Sequence, residues 1–304
     1  MEMTTIPYMD EECGGVRGCV REAGNRRHEE LCEGRLGAGG VRGCVREGWR
    51  RGGSSKIRDR PAPGIGVKYI TRNRPVTSTG QGIPAQGVYK DNIDMKKKKT
   101  NIMLAGDGMG QTIVTGNRNF MQGWTTFRTP TVAVSGKGFI ARDMTFRNTA
   151  GPETHQAVAL RVDSDQSAFY RCSMEGHQDT LYAHSLRQFY RECNIYGTID
   201  FIFGNGAAVL QNCKIFTRVP LPQQKSSPEG WLEWYGDFAL STLWYGEYRN
   251  YGPGASLSWA GQLAGIITLS GNAATAAFFT VGQFIDGSSW LPNTGVKFTA
   301  GLSN

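Results

Sequence analysis

An echo of about twenty residues limits the fold of this chain more than any other feature. Phe169-Tyr170-Arg171-Cys172 is followed by Phe189-Tyr190-Arg191-Glu192-Cys193 and then by Val209-Leu210-Gln211-Asn212-Cys213, so three cysteines stand 21 and then 20 residues apart. Short strands repeated at that interval mark a coiled β-solenoid, in which each coil lays its strands on those of the last. The competing arrangement is an antiparallel sandwich, which calls for turn signals every ~8–12 residues. From Gly87 onward, β-branched and aromatic runs alternate with Gly, Asn and Asp, and long amphipathic helical patterns are absent. Candidate strands cover 101–105, 131–134, 139–146, 168–174, 189–195, 199–203, 208–216 and 278–284.

In a solenoid, positions one interval apart sit on adjacent coils, about 4.8 Å apart. That separation falls within the ~4.4–6.8 Å Cα range of a disulfide, so Cys193 and Cys213 are either a bridged pair or two buried thiols. The same interval links two carboxylates: Asp179 and Asp200 are 21 residues apart. Ile199, Phe201, Ile202 and Phe203 flank Asp200, a setting expected to desolvate it in part. Two neighbouring carboxylates tend to share a proton, which yields a general acid beside a charged nucleophile. The plainer alternative is a pair of surface turn aspartates.

Residues 1–86 read differently. They hold 16 Gly and three aromatics (Tyr8, Trp49, Tyr69), with no sustained period of 2 or 3.6. Gly14-Gly15-Val16-Arg17-Gly18-Cys19-Val20-Arg21-Glu22 recurs letter for letter as Gly39 to Glu47, but one duplication is too little for a solenoid. The expectation is a disordered Gly/Arg-rich arm over 1–86 and a folded domain over 87–304. Met1 to Asp10 lacks the basic and apolar regions of a secretory leader, and no apolar run approaches the ~18–20 residues of a membrane span. Net charge is +8, with +5 of it in residues 1–86. That balance suits an anionic polymer or simple solubility.

The body also carries motifs. Gly151-Pro152-Glu153-Thr154-His155-Gln156-Ala157-Val158-Ala159-Leu160, His177-Gln178-Asp179-Thr180-Leu181-Tyr182 and Asp200-Phe201-Ile202-Phe203-Gly204 together resemble the plant pectin methylesterase family. Gly87-Val88-Tyr89-Lys90-Asp91, Gly123-Trp124-Thr125-Thr126-Phe127, Gly230-Trp231-Leu232-Glu233-Trp234, Tyr245-Gly246-Glu247-Tyr248 and Trp290-Leu291-Pro292 extend the resemblance over nearly all of 87–302. It implies a right-handed parallel β-helix of the pectin lyase-like kind and hydrolysis of methyl esters on galacturonosyl units. By resemblance, Asp200 is the nucleophile and Asp179 the general acid/base. Gln156 and Gln178 hold the oxyanion. Thr126, Gln156 and Phe203 contact substrate, and Cys193 pairs with Cys213. The resemblance further implies no cofactor, pectin (homogalacturonan) as substrate, a proteinaceous pectinesterase inhibitor as partner, a monomer, and the extracellular plant cell wall as location.

Two departures stand out. The strand and helix that cap the family's solenoid have no match in 1–86. The family's LGRPW motif, which supplies an arginine to the nucleophile and a tryptophan to the sugar, is absent: Gln223-Gln224-Lys225 runs almost directly into Pro228-Glu229-Gly230-Trp231. Roughly three coils at ~20–25 residues each are missing near 224–228. Impaired activity, or a non-catalytic pectin-binding remnant, is the corresponding alternative function. A basic nucleic-acid binder is a third class, supported only by N-terminal charge. Gly106-Asp107-Gly108-Met109-Gly110 looks superficially like a phosphate loop, but no Gly-Lys-Ser/Thr follows. The four histidines lack metal-ligand spacing, and no G-x-S-x-G of a serine esterase occurs.

Overall fold

The structure, a computed structural model, describes residues 68–71, 86–222, 245–255, 266–268 and 273–302. Its strands form successive coils, each passing over three faces. Face 1 stacks Gly87–Lys90, Thr112–Gly116, 145–148, 173–175, Asn194–Gly197 and Lys214–Thr217. Face 2 stacks Ile93–Met95, Val132–Val134, Leu160–Val162, 181–182 and 202–203. Face 3 stacks Ile102–Ala105, 140–142, 167–170, 188–191 and 208–211. All these ladders are parallel. This is the expected parallel β-helix, with face 1 of coil 6 the last rung before residue 223.

The only antiparallel partner among the described residues is Lys68–Thr71, which pairs with Ile102–Ala105 at the first edge of face 3. Those four residues and Gln86 are the described part of the segment expected to be irregular; its remainder lies outside the described residues.

Single left-handed residues turn the chain between faces. Asp143, Arg171, Glu192 and Asn212 (φ 57°, 48°, 54° and 56°) occupy one corner on four successive coils, in register between faces 3 and 1. A single αL residue costs little where a short polar side chain occupies it, so Asp and Asn suit this corner. Arg171 Nε donates to Asp143 Oδ1 of the coil below at 2.6 Å, and Arg142 Nε donates to Oδ2 at 2.8 Å. Although burial opposes it, the two guanidiniums hold the Asp143 carboxyl below the usual carboxylate range.

Inside the coil, like stacks on like. Leu104, Ala141, Phe169, Tyr190 and Leu210 form one buried ladder, and Val114, Phe146, Met174 and Ile195 another. The Phe169 and Tyr190 rings stack at 4.8 Å and 9°, which is the strand spacing itself. Tyr190 keeps its hydroxyl satisfied by donating to Gln188 Oε1 at 2.7 Å. Cys172, Cys193 and Cys213 form a third buried ladder and stand as free thiols. The expected Cys193–Cys213 bridge is therefore not formed here: both thiols lie within sulfur hydrogen-bonding distance of backbone carbonyls.

Beyond the break, Tyr245–Glu247 pairs in parallel with Ile266–Thr268, and Tyr245 belongs to the same buried core. One expectation fails outright. The run 278–284 is helical: Ala273–Phe278, Val281–Phe284 and Gly287–Trp290 are short helices. Thr280 explains the difference, since its side chain accepts from Gln283 N and caps the second helix. Val281, Ile285, Trp290 and Leu291 then cover the outer side of face 3 over Ala168, Phe189 and Val209.

Candidate active site

The loops joining face 1 to face 2 stack on one another along the helix, and they carry every expected site residue except Phe203. Thr126 lies in the coil 2 loop, Gln156 in coil 3, Gln178 and Asp179 in coil 4, and Asp200 in coil 5. The pairing Leu160↔Leu181↔Ile202 places Asp179 and Asp200 in register, one coil apart. Both adopt left-handed backbone, φ 65° and 48°. Backbone bonds run from loop to loop. Ala157 N donates to Gln178 O (3.2 Å), Asp179 N to Ile199 O (3.3 Å), and Thr198 N to His177 O (2.9 Å).

Burial of the two aspartates is opposite to the expectation that flanking apolar residues desolvate Asp200. Asp179 is 5% exposed, whereas Asp200 is exposed. The cause is the stack itself: backbone bonds tie the loop of Asp179 to the loops on both sides, 157–159 and 199–201, whereas the loop of Asp200 on coil 5 is followed by face 1 of coil 6, the last rung before residue 223. Gln178 is 7% exposed beside Asp179, Thr126 is 7% exposed, and Gln156 is half-buried.

The floor beside these loops is the outer side of face 2, where Asp94, Ala133, Arg161, Tyr182 and Phe203 are in register on five coils. Phe203 stacks on Tyr182 at 4.3 Å and 16°. His184 meets both Tyr182 (5.0 Å) and Phe127 (5.5 Å). Gly204 ends the floor with φ 130°, and a Cβ there would lie 2.2 Å from Ala183 O. The motif's glycine is thus demanded by backbone geometry.

Two residues join the site that sequence reasoning did not assign to it. His177 adjoins Gln178; burial, and then the positive charge of Arg218, lower its proton affinity below that of a free histidine. Arg218 occupies the equivalent position two coils on. Its N–H donates to Gly197 O at 2.6 Å, and its guanidinium lies 5.8 Å from the Tyr196 ring. The in-register interval of 177, 198 and 218 was the available signal. Among the described residues no cluster of three or more His, Cys, Asp or Glu could hold a metal. The arrangement offers a pair of carboxylates, one sheltered and one open, beside neutral amides and an aromatic floor.

Comparison with known proteins fits this geometry. The family model for Pectinesterase matches residues 83–227 and 225–288. An Arabidopsis thaliana protein named as a pectinesterase/pectinesterase inhibitor is 60% identical over 271 residues, covering 72% of this chain and 50% of its own length. Pectinesterase 2 of Citrus sinensis is 48% identical, covering 71% of this chain and 54% of its own. The chain thus spans about half the length of the curated relatives it matches. Among solved structures, the pectin methylesterase from carrot superposes with a TM-score of 0.63 at 42% identity, over 71% of this chain and 87% of that one. The parallel β-helix, the stacked loop motifs and these matches agree: the chain belongs to the pectinesterase family.

Proposed function

We propose that this chain hydrolyses methyl esters of galacturonosyl units in pectin by covalent aspartyl catalysis. The observation that carries the reading is the in-register stacking of Asp179 and Asp200, with Gln178 adjoining Asp179 and Gln156 one loop earlier in the stack. The Asp200 carboxylate attacks the ester carbonyl. The resulting oxyanion accepts hydrogen bonds from the Gln156 and Gln178 amides, which donate without carrying charge. Methoxide departs with the Asp179 proton, leaving an acyl-enzyme on Asp200. Asp179, now ionised, takes a proton from water, and that water releases the galacturonate. Sheltering Asp179 suits it to hold a proton, because burial disfavours the charged carboxylate. An open Asp200 suits a nucleophile that must reach a polymer. Thr126 and Phe203 contact the sugar.

The expected arginine has no counterpart in an LGRPW motif. In this proposal Arg218, at the head of the next loop, supplies the positive charge beside the site. The plant cell wall is the corresponding location, and a pectinesterase inhibitor protein the corresponding partner. Methanol release from highly methyl-esterified pectin tests the function. A release rate that rises with the degree of methyl esterification is expected, and release from none of a graded series would contradict it.

A further inference from the structure

The loop that carries Gln156 leaves the coil at Asn148, the last residue of the strand Ile140–Asn148, and returns through Val158. Between them lie a short 3-10 turn, Pro152–Thr154, and His155 at φ 60°, ψ −141°. A residue with a side chain rarely adopts that conformation, so the surroundings must impose it. Asn148 supplies much of the constraint. It is buried, and its Nδ2 donates to Arg118 O at 2.9 Å and to Val158 O at 3.0 Å. Its Oδ1 accepts from Ala150 N at 2.9 Å. Both partners of Nδ2 are carbonyls and that of Oδ1 is an N–H, so a single orientation of the amide satisfies all three. One side chain thus joins the two ends of the Gln156 loop and fastens them to the loop of coil 2. Two residues after Arg118, Phe120 N donates to Gln156 O at 3.0 Å.

We propose that Asn148 is a positioning residue for the ester hydrolysis: through the Arg118 and Val158 carbonyls it fixes where the Gln156 amide stands beside the aspartates. The inference rests on the esterase reading, in which Gln156 meets the oxyanion. A donor stabilises that charge only if it is held in place before the charge develops. Displacing it by ~1 Å costs up to ~10² in rate. Gln156 is held from two directions, and both lead to Asn148. Val158 follows it by two residues, and Phe120 ties it to the segment that begins at Arg118. Arg118, Ala150 and Val158 all lie outside the strands, so the three bonds serve the loop stack rather than the ladders of the core.

Steady-state kinetics and amide hydrogen exchange on the full chain and on Asn148→Ser test this. The hydroxyl cannot serve all three partners, so kcat should fall roughly 10- to 100-fold with KM within about threefold. Because Asn148 acts through Gln156, adding Asn148→Ser to Gln156→Ala should lower kcat by less than about threefold more. An unchanged kcat in the single variant, or its full loss repeated in the double, overturns the assignment. In exchange, the Phe120 amide should open roughly tenfold faster or more, while that of Tyr190 in the core ladder keeps its rate. Equal acceleration at both amides shows a general structural role and also overturns it. Should the serine variant fail to fold, Asn148→Asp keeps the shape and the Oδ1 acceptor, removes the two donors, and is measured in the same way. Exchange also keeps the two readings apart. Faster opening at Phe120 alone, with no methanol release from the unaltered chain, leaves the tether standing and removes the esterase. Methanol release with Phe120 and kcat unchanged in the variant does the reverse.

Discussion

Individual residues carry the chemistry, and two of them acquire meaning only in three dimensions. Arg218 and His177 are 41 positions apart in sequence, yet the coil interval brings them to equivalent positions of one loop stack. If Arg218 replaces the arginine missing from the chain, Arg218→Gln removes a charge-assisted interaction of about 1.5–3 kcal/mol, lowering kcat roughly 10- to 100-fold with KM little changed. Steady-state kinetics checks this, and an unaltered kcat would assign the role elsewhere. His177 makes a separate pH prediction. Its folded-state proton affinity lies below that of a free histidine, so below about pH 6.5 the unfolded chain binds a proton that the folded chain does not. Stability is therefore full above that pH and falls as pH drops through it. His177→Gln should flatten the fall in urea midpoint between about pH 7 and 5.5. An identical slope in the variant would remove His177 as its source.

At the level of elements, the sequence shows most where stacking repeats it. The Phe-Tyr-Arg-Cys echo located the ladders of Phe169 with Tyr190 and of the three cysteines, because a solenoid makes each coil solve the same packing problem. It did not show that strands such as Ile140–Asn148 and Leu181–Arg191 each bend through a corner to serve two faces. Nor did it distinguish 278–284 from a strand, because the deciding cap, Thr280, is a common strand residue as well. The exposure of Asp200 was also hidden: its four apolar neighbours describe the strand it precedes, while its burial depends on loops of other coils. Gly204 is where local sequence and long-range packing meet. Gly204→Ala forces a Cβ against Ala183 O at φ 130°. It should cost about 2–4 kcal/mol in denaturant unfolding. A loss within ordinary surface scatter would show that the corner relaxes freely.

For the molecule as a whole, the chain is shorter than its relatives across the matched region. The Arabidopsis alignment runs over 271 positions but falls on 72% of 304 residues, about 219, so about 52 positions lack a counterpart. At this chain's own interval of 20 to 21 residues, that is between two and three coils. The family matches meet at 225–227, which supports placing the loss there. Coils contact mainly their neighbours, so a solenoid tolerates removal of whole units if the flanking rungs can meet. Tyr245, buried in the same core as the ladders of coils 1 to 5, fits such a closure. The aspartates lie upstream of the loss: the loop of Asp179 is stacked on both sides, and that of Asp200 on the Asp179 side. In the proposed mechanism these retained coils suffice for aspartyl ester hydrolysis, which is tested by methanol release from highly methyl-esterified pectin by the full chain and by Asp200→Ala. Release by the full chain that disappears in the variant is expected. No release by a soluble, β-structured full chain, or equal release by both proteins, would contradict it.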